Sequence, residues 1–315
     1  MKFLGKKDAP ETDSLSQESP EKRLVALREE ADSYADVREA VFKQMLERNG
    51  PKYKWFIVGI RFFKLLSGSS PRGQFLENYY TAMRYIDDIA DGDAPLPPGY
   101  NDGEDYISKK LEYIESGTPP ADDCENLLAL SFKLAKEFNV DFSQETDDIL
   151  RSLQFDARRR GKYQIFSEQE LKDHFFMLDI RGTVRGDLKV FNESPEHYDI
   201  LQPLGEADRI HYNLRDFKED VSVGFINIPA EDCARLGITA DILKSGEYTG
   251  HQGLRAWFKE QAEKGLALIE KYHEKRKGVR FQPVTQMAIK LGFEIEAKNF
   301  MTSVAKGDFT KIFES

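Results

Sequence analysis

Arg84-Tyr85-Ile86-Asp87-Asp88-Ile89-Ala90-Asp91 and Asn213-Leu214-Arg215-Asp216-Phe217-Lys218-Glu219-Asp220 are the two stretches on which the reading of this chain turns. In each, two aspartates stand four apart, Asp87 with Asp91 and Asp216 with Asp220. On a helix that spacing puts both carboxylates on one face, one turn apart. Like charges so placed repel and destabilise a bare helix. Apolar Tyr85, Ile86, Ile89 and Ala90 surround the first pair, which predicts partial burial and a demand for a cation. Arg84, one turn earlier, either compensates the acids or binds an anion. Asn213 lies a turn before Asp216 on the same face of the second stretch. An oxygen-only ligand set favours Mg²⁺, which takes one or two carboxylates and completes its shell with water and phosphate oxygens.

Either pair alone reads as a solvated helix surface. Two such pairs on separate long helices read instead as a clamp, with Asp87, Asp91, Asp216 and Asp220 holding more than one Mg²⁺ against a diphosphate. The ions would offset the charge that develops on the departing group.

The rest of the chain supports helices throughout. Residues 1–20 are rich in Pro, Ser, Asp, Glu and Lys, and read as a disordered tail. Residues 21–315 read as one all-α domain, a bundle of ten or more helices around a central cavity. Helical spacing predicts helices over 21–48, 52–66, 72–91, 104–115, 121–138 and 144–160, separated by Gly and Pro breaks. Ser167-Glu-Gln-Glu170 fits a capping box that opens a helix through about Val190. Further helices are predicted over 195–220, 230–236, 250–277 and 283–305. Strand signals are nearly absent.

Composition narrows the function. The chain has 315 residues, 40% of them hydrophobic, enough for a sizeable core. A net charge of −10 argues against a nucleic-acid partner. Cys124 and Cys233 lie far apart and outside any metal-ligand spacing, so the expected compartment is the reducing cytoplasm. The N-terminal apolar stretch is too short for a signal peptide, and no apolar run approaches a bilayer-spanning length. Trp55 to Leu66, interrupted by Arg61 and Lys64, reads as a half-buried core helix. The other reading is a membrane-surface helix, which leaves open a peripheral membrane contact for product release.

The two acidic stretches resemble motifs of the squalene/phytoene synthase family, the head-to-head branch of class I isoprenoid synthases. Tyr80, Arg84, Asp87, Asp88 and Asp91 match Tyr-x-x-x-Arg-x-x-Asp-(Asp/Glu)-x-x-Asp. Leu214-Arg215-Asp216-Phe-Lys-Glu219-Asp220, then Gly224 to Pro229 and Glu231 to Gly237, match the second motif, its loop and the acidic helix after it. The resemblance covers roughly residues 52–305. It implies a class I isoprenoid synthase-like bundle with a deep apolar tunnel, in which two allylic diphosphates (farnesyl or geranylgeranyl) are joined head-to-head. The paired aspartates would hold Mg²⁺ while Tyr80, Arg84, Asp88, Phe176, Asn213, Arg215 and Glu219 contact substrate. NADPH would enter only if the product is squalene. With no hydrophobic C-terminal anchor, the chain is similar to the bacterial-type members.

The sequence also departs from that pattern. Tyr212 stands where the family has Asn, with Asn213 one place later, and Arg209 stands where it has Gln. Phe225 and Asn227 replace the loop's Arg and Tyr, and the family's early Ser-Phe pair has no clear match near Trp55-Phe56. In the central helix, Phe176-Met-Leu-Asp-Ile-Arg181-Gly182-Thr-Val184-Arg185 puts two arginines at small tunnel positions. Arg181 and Arg185 either project cations toward the substrate or lie on the surface of a rotated helix. A buried guanidinium needs an anionic partner, and a diphosphate or an aspartate motif would serve. Two alternatives therefore stand beside head-to-head condensation: a reaction on a single diphosphate, including prenyl transfer to another acceptor, and a non-catalytic binding or assembly protein. Arg158-Arg159-Arg160 with Lys162 reads either as a solvated helix end or as a cluster facing a diphosphate. Tyr79, Phe75, Phe175 and Phe293 read as tunnel lining or as plain core, and His174 and His211 carry no metal-ligand pattern.

Overall fold

A computed structural model describes residues 19–49, 51–67 and 70–313, and every regular element among them is helical. The tail expected over residues 1–20 lies outside the described residues, apart from its last two. Ser19 caps the first helix and Pro20 opens it. In chain order the helices are α1 (Pro20–Ser33), α2 (Ala35–Asn49), α3 (Pro51–Leu66), α4 (Pro71–Ala90), α5 (Gly103–Ser116), α6 (Asp123–Glu137), α7 (Ser143–Arg159) and α8 (Glu168–Phe175). A π-helical segment, Phe176–Val184, runs into α9 (Arg185–Val190), and a 3₁₀ turn at Pro195–His197 leads into α10 (Tyr198–Arg215). Then follow α11 (Phe217–Ser222), α12 (Ala230–Leu236), α13 (Ala240–Ser245), α14 (Gln252–Lys275), α15 (Pro283–Ala288), a second π-helical segment Ile289–Glu294, α16 (Ile295–Ala305) and α17 (Thr310–Phe313).

Most predicted helices appear within a few residues of their expected ends, because the Gly and Pro breaks are local signals. The capping box at Ser167 and Glu170 is formed in both directions. Four expectations need correction, one of them the helix expected over 283–305, which the π-helical segment Ile289–Glu294 interrupts. The helix expected over 21–48 breaks at Tyr34, whose N–H turns to the carbonyls of Ala31 and Asp32. The helix expected over 195–220 is interrupted at Asp216, where one helix ends and the next begins. The helix expected through Val190 widens into the π-helical segment, a device that recurs at functional sites.

The widening has a packing counterpart. Gly182, inside it, lies so close to α7 that a Cβ there would sit 2.5 Å from the Ile149 side chain. Gly205 of α10 approaches the other side, where a Cβ would sit 2.6 Å from Ile180. The π-helical segment is thus wedged between α7 and α10 and sets their spacing. On its first side, α4 packs against α6, and on the other α10 packs against α14. The largest core cluster gathers α10, α14 and α16 around Phe258, Tyr272 and Met301. Phe75, Tyr79 and Phe142 stack in a smaller core, so of the aromatics weighed as tunnel lining Phe75 and Tyr79 are packing residues here. α3 buries Ile57 and Ile60 and exposes Val58, Phe62 and Leu65, the half-buried pattern expected of it. No helix among the described residues is long and apolar enough to cross a membrane.

Candidate active site

The first acidic motif occupies the last turn of α4. Asp91 is its C-cap, and the Asp91 N–H donates to the Asp87 carbonyl at 2.8 Å, which places the two side chains one turn apart. The second motif straddles the end of α10. Asp216 is the C-cap there, and the Asp220 N–H still donates to the Asp216 carbonyl at 2.8 Å. The one-turn spacing expected from the sequence therefore survives the break. Both motifs stand at helix C-termini, where the backbone already presents partial negative charge. α4 has no basic residue in its last turn other than those it borrows from upstream.

A third helix end joins them. Asp156, in the last turn of α7, raises the carboxyl pKa of Asp87 and Asp91 on one side and of Asp220 on the other. One carboxylate thus lies within electrostatic reach of both motifs, and the C-terminal ends of α4, α7 and α10 converge on one region. The loop after α11 fastens this convergence. Gly161 N–H donates to the Val223 carbonyl at 2.8 Å, and Tyr163 N–H to the Gly224 carbonyl at 3.2 Å. Gly224, at φ +88°, leaves only 2.7 Å between a hypothetical Cβ and the Gly161 backbone, so a side chain is excluded there.

Each motif treats its two acids differently. Arg84 pairs with Asp87 at 2.8 Å and with Asp88. Arg215 forks onto Asp216 at 2.8 and 2.6 Å, its guanidinium 4.5 Å from the Tyr212 ring. Asp91 and Asp220 have no ion pair among the described residues. Burial, then the charges of Asp87, Asp156 and Asp93, push the Asp91 carboxyl well above its ordinary range. Burial, then Asp216, push Asp220 up to about 7. Burial also pushes Asp87 up to about 6 despite Arg84. Asn213, on the face of Asp216 and Asp220, holds a buried side-chain oxygen without a hydrogen-bond partner.

This donor set suits a hard cation. It consists of oxygen atoms only, it is partly dehydrated, and its Asp91 and Asp220 carboxyls have no ion pair among the described residues. Among the described residues no group of three or more His, Cys, Asp and Glu side chains is gathered closely enough to hold an ion alone. A Mg²⁺ ion that shares a phosphate ligand needs only one or two carboxylates, so the separate pairs remain adequate.

A pH dependence follows. The native state binds protons at Asp87, Asp91 and Asp220 that the unfolded chain has already released, so raising the pH from 5 to 8 should lower the stability of the metal-free protein. Burial raises Asp187 of α9 to about 7 as well, and an Asp187→Asn variant separates its share. Thermal melts across that range, with and without Mg²⁺ and inorganic pyrophosphate, check the trend. A melting temperature that climbs with pH in the metal-free protein would contradict it.

The other expected site residues are distributed unevenly. Asp88 is 1% exposed and turned into the core, where it anchors Arg84 instead of facing the acids. Tyr80 packs near Phe42 of α2, with ring centroids 6.5 Å apart, and Phe176 opens the π-helical segment half-buried. Glu219 is exposed on α11. Arg181 and Arg185 pair with neither aspartate motif, and each keeps about a third of its side chain exposed, 37% and 35%. Arg181 binds Asp148 at 2.6 Å and Arg185 lies 3.9 Å from Glu145, both acids being almost wholly buried on α7. Asp148 shares its α7 face with Asp156, eight residues or about 12 Å further along the axis. The unexpected Arg209 forks onto Asp179 of the π-helical segment at 2.6 Å through each nitrogen.

The basic cluster at the end of α7 divides three ways. Arg158 pairs with Glu104 in solvent, and Arg160 lies against Gly92 beside an open cavity of about 420 Å³. Arg159 is buried against Asp156 and Asn227. The sequence marks Asn227 only as a departure in the loop and does not mark Asp156, because what makes them matter is the contact of Arg159 with Asn227 across 68 positions and the nearness of Asp156 to both motifs. His174 is buried, bonded to Ser152 and 3.3 Å from Asp156, while His211 sits in the core beside Phe300.

No family model matches the sequence, and no curated protein is similar enough in sequence to count as a relative. Solved structures do match. The squalene synthase HpnC from Alicyclobacillus acidocaldarius superposes with a TM-score of 0.62 at 15% identity, over 94% of this chain and 99% of that one. A dehydrosqualene synthase, solved in complex with ligand, superposes with a TM-score of 0.55 at 18% identity, over 89% of this chain and 86% of that one. The all-helical architecture, with three helix ends meeting at the doubled acids, is a squalene/phytoene synthase-like fold.

Proposed function

We propose that this chain is a Mg²⁺-dependent prenyltransferase that ionises allylic isoprenoid diphosphates and joins two of them head-to-head. The observation that carries the reading is that Asp91 and Asp220 stand on helix ends that share Asp156 as an electrostatic neighbour, each next to an arginine-clamped acid and each without an ion pair among the described residues. Asp87 and Asp91 would hold Mg²⁺ on one side and Asp216 and Asp220 on the other, with Asn213 oxygen available to the second set. Bound Mg²⁺ would offset the charge that builds on the departing diphosphate. Arg84 and Arg215 clamp Asp87 and Asp216 and would meet phosphate oxygens as the ion pairs loosen.

A second reading draws on a specific feature. Arg181 with Asp148, Arg185 with Glu145, and Arg209 with Asp179 put three ion pairs where α7, the π-helical segment and α10 pack together. Charge so placed suits a reaction on one diphosphate, or transfer to a polar acceptor, better than two long apolar tails. Incubation with Mg²⁺ and farnesyl or geranylgeranyl diphosphate, with and without NADPH, separates the readings. A C30 or C40 hydrocarbon supports head-to-head joining, and NADPH dependence marks squalene. A C15 or C20 product with released pyrophosphate supports the second reading. No pyrophosphate from any substrate would overturn both and leave a binding or assembly protein.

A further inference from the structure

Arg159 is 4% exposed, and its guanidinium is engaged on every edge. Nε and Nη2 each lie 2.7 Å from Asp156 Oδ1. Nη1 donates to Asn227 Oδ1 at 2.7 Å and lies 3.5 Å from the Ile226 carbonyl. The flat face rests 4.8 Å from the centre of the Phe225 ring. Asn227 then passes the contact on, its Nδ2 donating to Asp220 Oδ2 at 2.8 Å. The amide has one chemically sensible orientation, since its oxygen must face the guanidinium and its nitrogen the carboxylate.

The consequence lies in how charge is divided. The positive charge of Arg159 is matched by Asp156, which Arg159 and His174 hold below the usual carboxylate range against the opposing effect of burial. Asp220 receives only a neutral amide donor, on one of its two oxygens. An arginine in place of Asn227 would orient Asp220 and cancel its charge together. An amide orients it and leaves the charge.

We propose that Arg159 and Asn227 are positioning residues for the second acidic pair: Arg159 locks Asn227, and Asn227 fixes the rotamer of Asp220 so that its remaining oxygen faces a divalent cation undiminished in charge. This rests on the proposed function, because it needs the acids to bind a metal. Residues that orient a ligating carboxylate from behind typically govern metal affinity by 10–100-fold.

Mn²⁺ binding to the full chain in the presence of inorganic pyrophosphate, followed by calorimetry and by the Mn²⁺ resonance spectrum, tests it. Asn227→Ala and Arg159→Lys should each weaken Mn²⁺ binding by about tenfold or more. The double variant should lose no more than the greater of the two, because Arg159 acts through Asn227. Circular dichroism and melting temperature establish that each variant is folded, and Asn227→Ala keeps the test alive if Arg159→Lys is not. Wild-type affinity in both single variants, together with lost affinity in Asp220→Asn, overturns the clasp and leaves the proposed function standing. Additive losses in the double variant overturn the route from Arg159 through Asn227. No Mn²⁺ binding by the wild-type chain overturns the clasp and the metal-dependent function together.

Discussion

Asp220→Asn is expected to cut pyrophosphate release by 10²–10³-fold or more, on the order of what losing one strong stabiliser of developing charge costs, and to make the metal-free protein more heat-stable at pH 8. The two effects have one cause. Burial and the neighbouring Asp216 push the Asp220 carboxyl up to about 7, so its ionised form is a liability to the fold unless a cation is bound. Asparagine has nearly the same shape, can still accept the hydrogen bond from Asn227, and carries no charge. The sign follows from linkage. The folded pKa lies above the unfolded one, so the penalty of the ionised form is absent below about pH 4 and grows as the pH rises through 7. The gain in melting temperature should therefore be full at pH 8, shrink as the pH falls and vanish only near pH 4. An Asp220 that merely holds the helix together predicts the reverse, a lower melting temperature at pH 8. That outcome would remove the metal-binding role from this residue.

Glu125→Ala is expected to destabilise the protein by about 3 kcal/mol, the lower end for breaking a buried ion pair. Lys110 is completely buried, its ammonium 2.7 Å from Glu125, paired also with Asp122 and donating to the Tyr100 hydroxyl at 3.1 Å. Burial favours the neutral amine, but the contacts with Asp122, Glu125 and Tyr100 outweigh it and hold the pKa above its ordinary value. The Tyr106 ring centre lies 4.6 Å from the ammonium, adding a further contact. Without Glu125 the lysine stays charged and half-paired where water cannot reach it. Glu125 also accepts the Ala121 N–H at 2.6 Å, so the start of α6 loosens too. Because α6 packs against α4, the loss reaches the helix that carries Asp87 and Asp91. Denaturant unfolding measures the change, and Lys110→Met combined with Glu125→Leu should recover most of it. A single variant within 1 kcal/mol of wild type would show that Asp122 alone satisfies the lysine.

The fold was legible to the extent that its signals are local. Pro51, Pro71, Gly117 and Gly237 punctuate helices wherever they stand, and the Ser167–Glu170 box names its own helix start. The short helix at Ala240–Ser245 escaped because six residues offer too little periodicity. The break at Asp216 escaped because a C-cap without glycine leaves no mark, and the π-helical segment because it goes with the close approach of other helices, α7 at Ile149 and α10 at Gly205. Arg181 and Arg185 were expected either to face a diphosphate or an aspartate motif or to lie on the surface. Their actual partners, Asp148 and Glu145, belong to a helix whose facing surface no local pattern reveals.

By itself the sequence determined the all-helical class and the one-turn spacing within each aspartate pair, because both follow from repeat distances of a single helix. Only the tertiary structure decided that three helix C-termini meet. It alone brought Asp156 within electrostatic reach of both pairs and Arg159 to Asn227 across 68 positions, and left one acid of each motif without an ion pair among the described residues. Helical geometry relates residues three or four apart and is silent about the rest. Which distant carboxylates share a region depends on how every intervening helix buries its apolar face, and that is settled by packing of the whole chain.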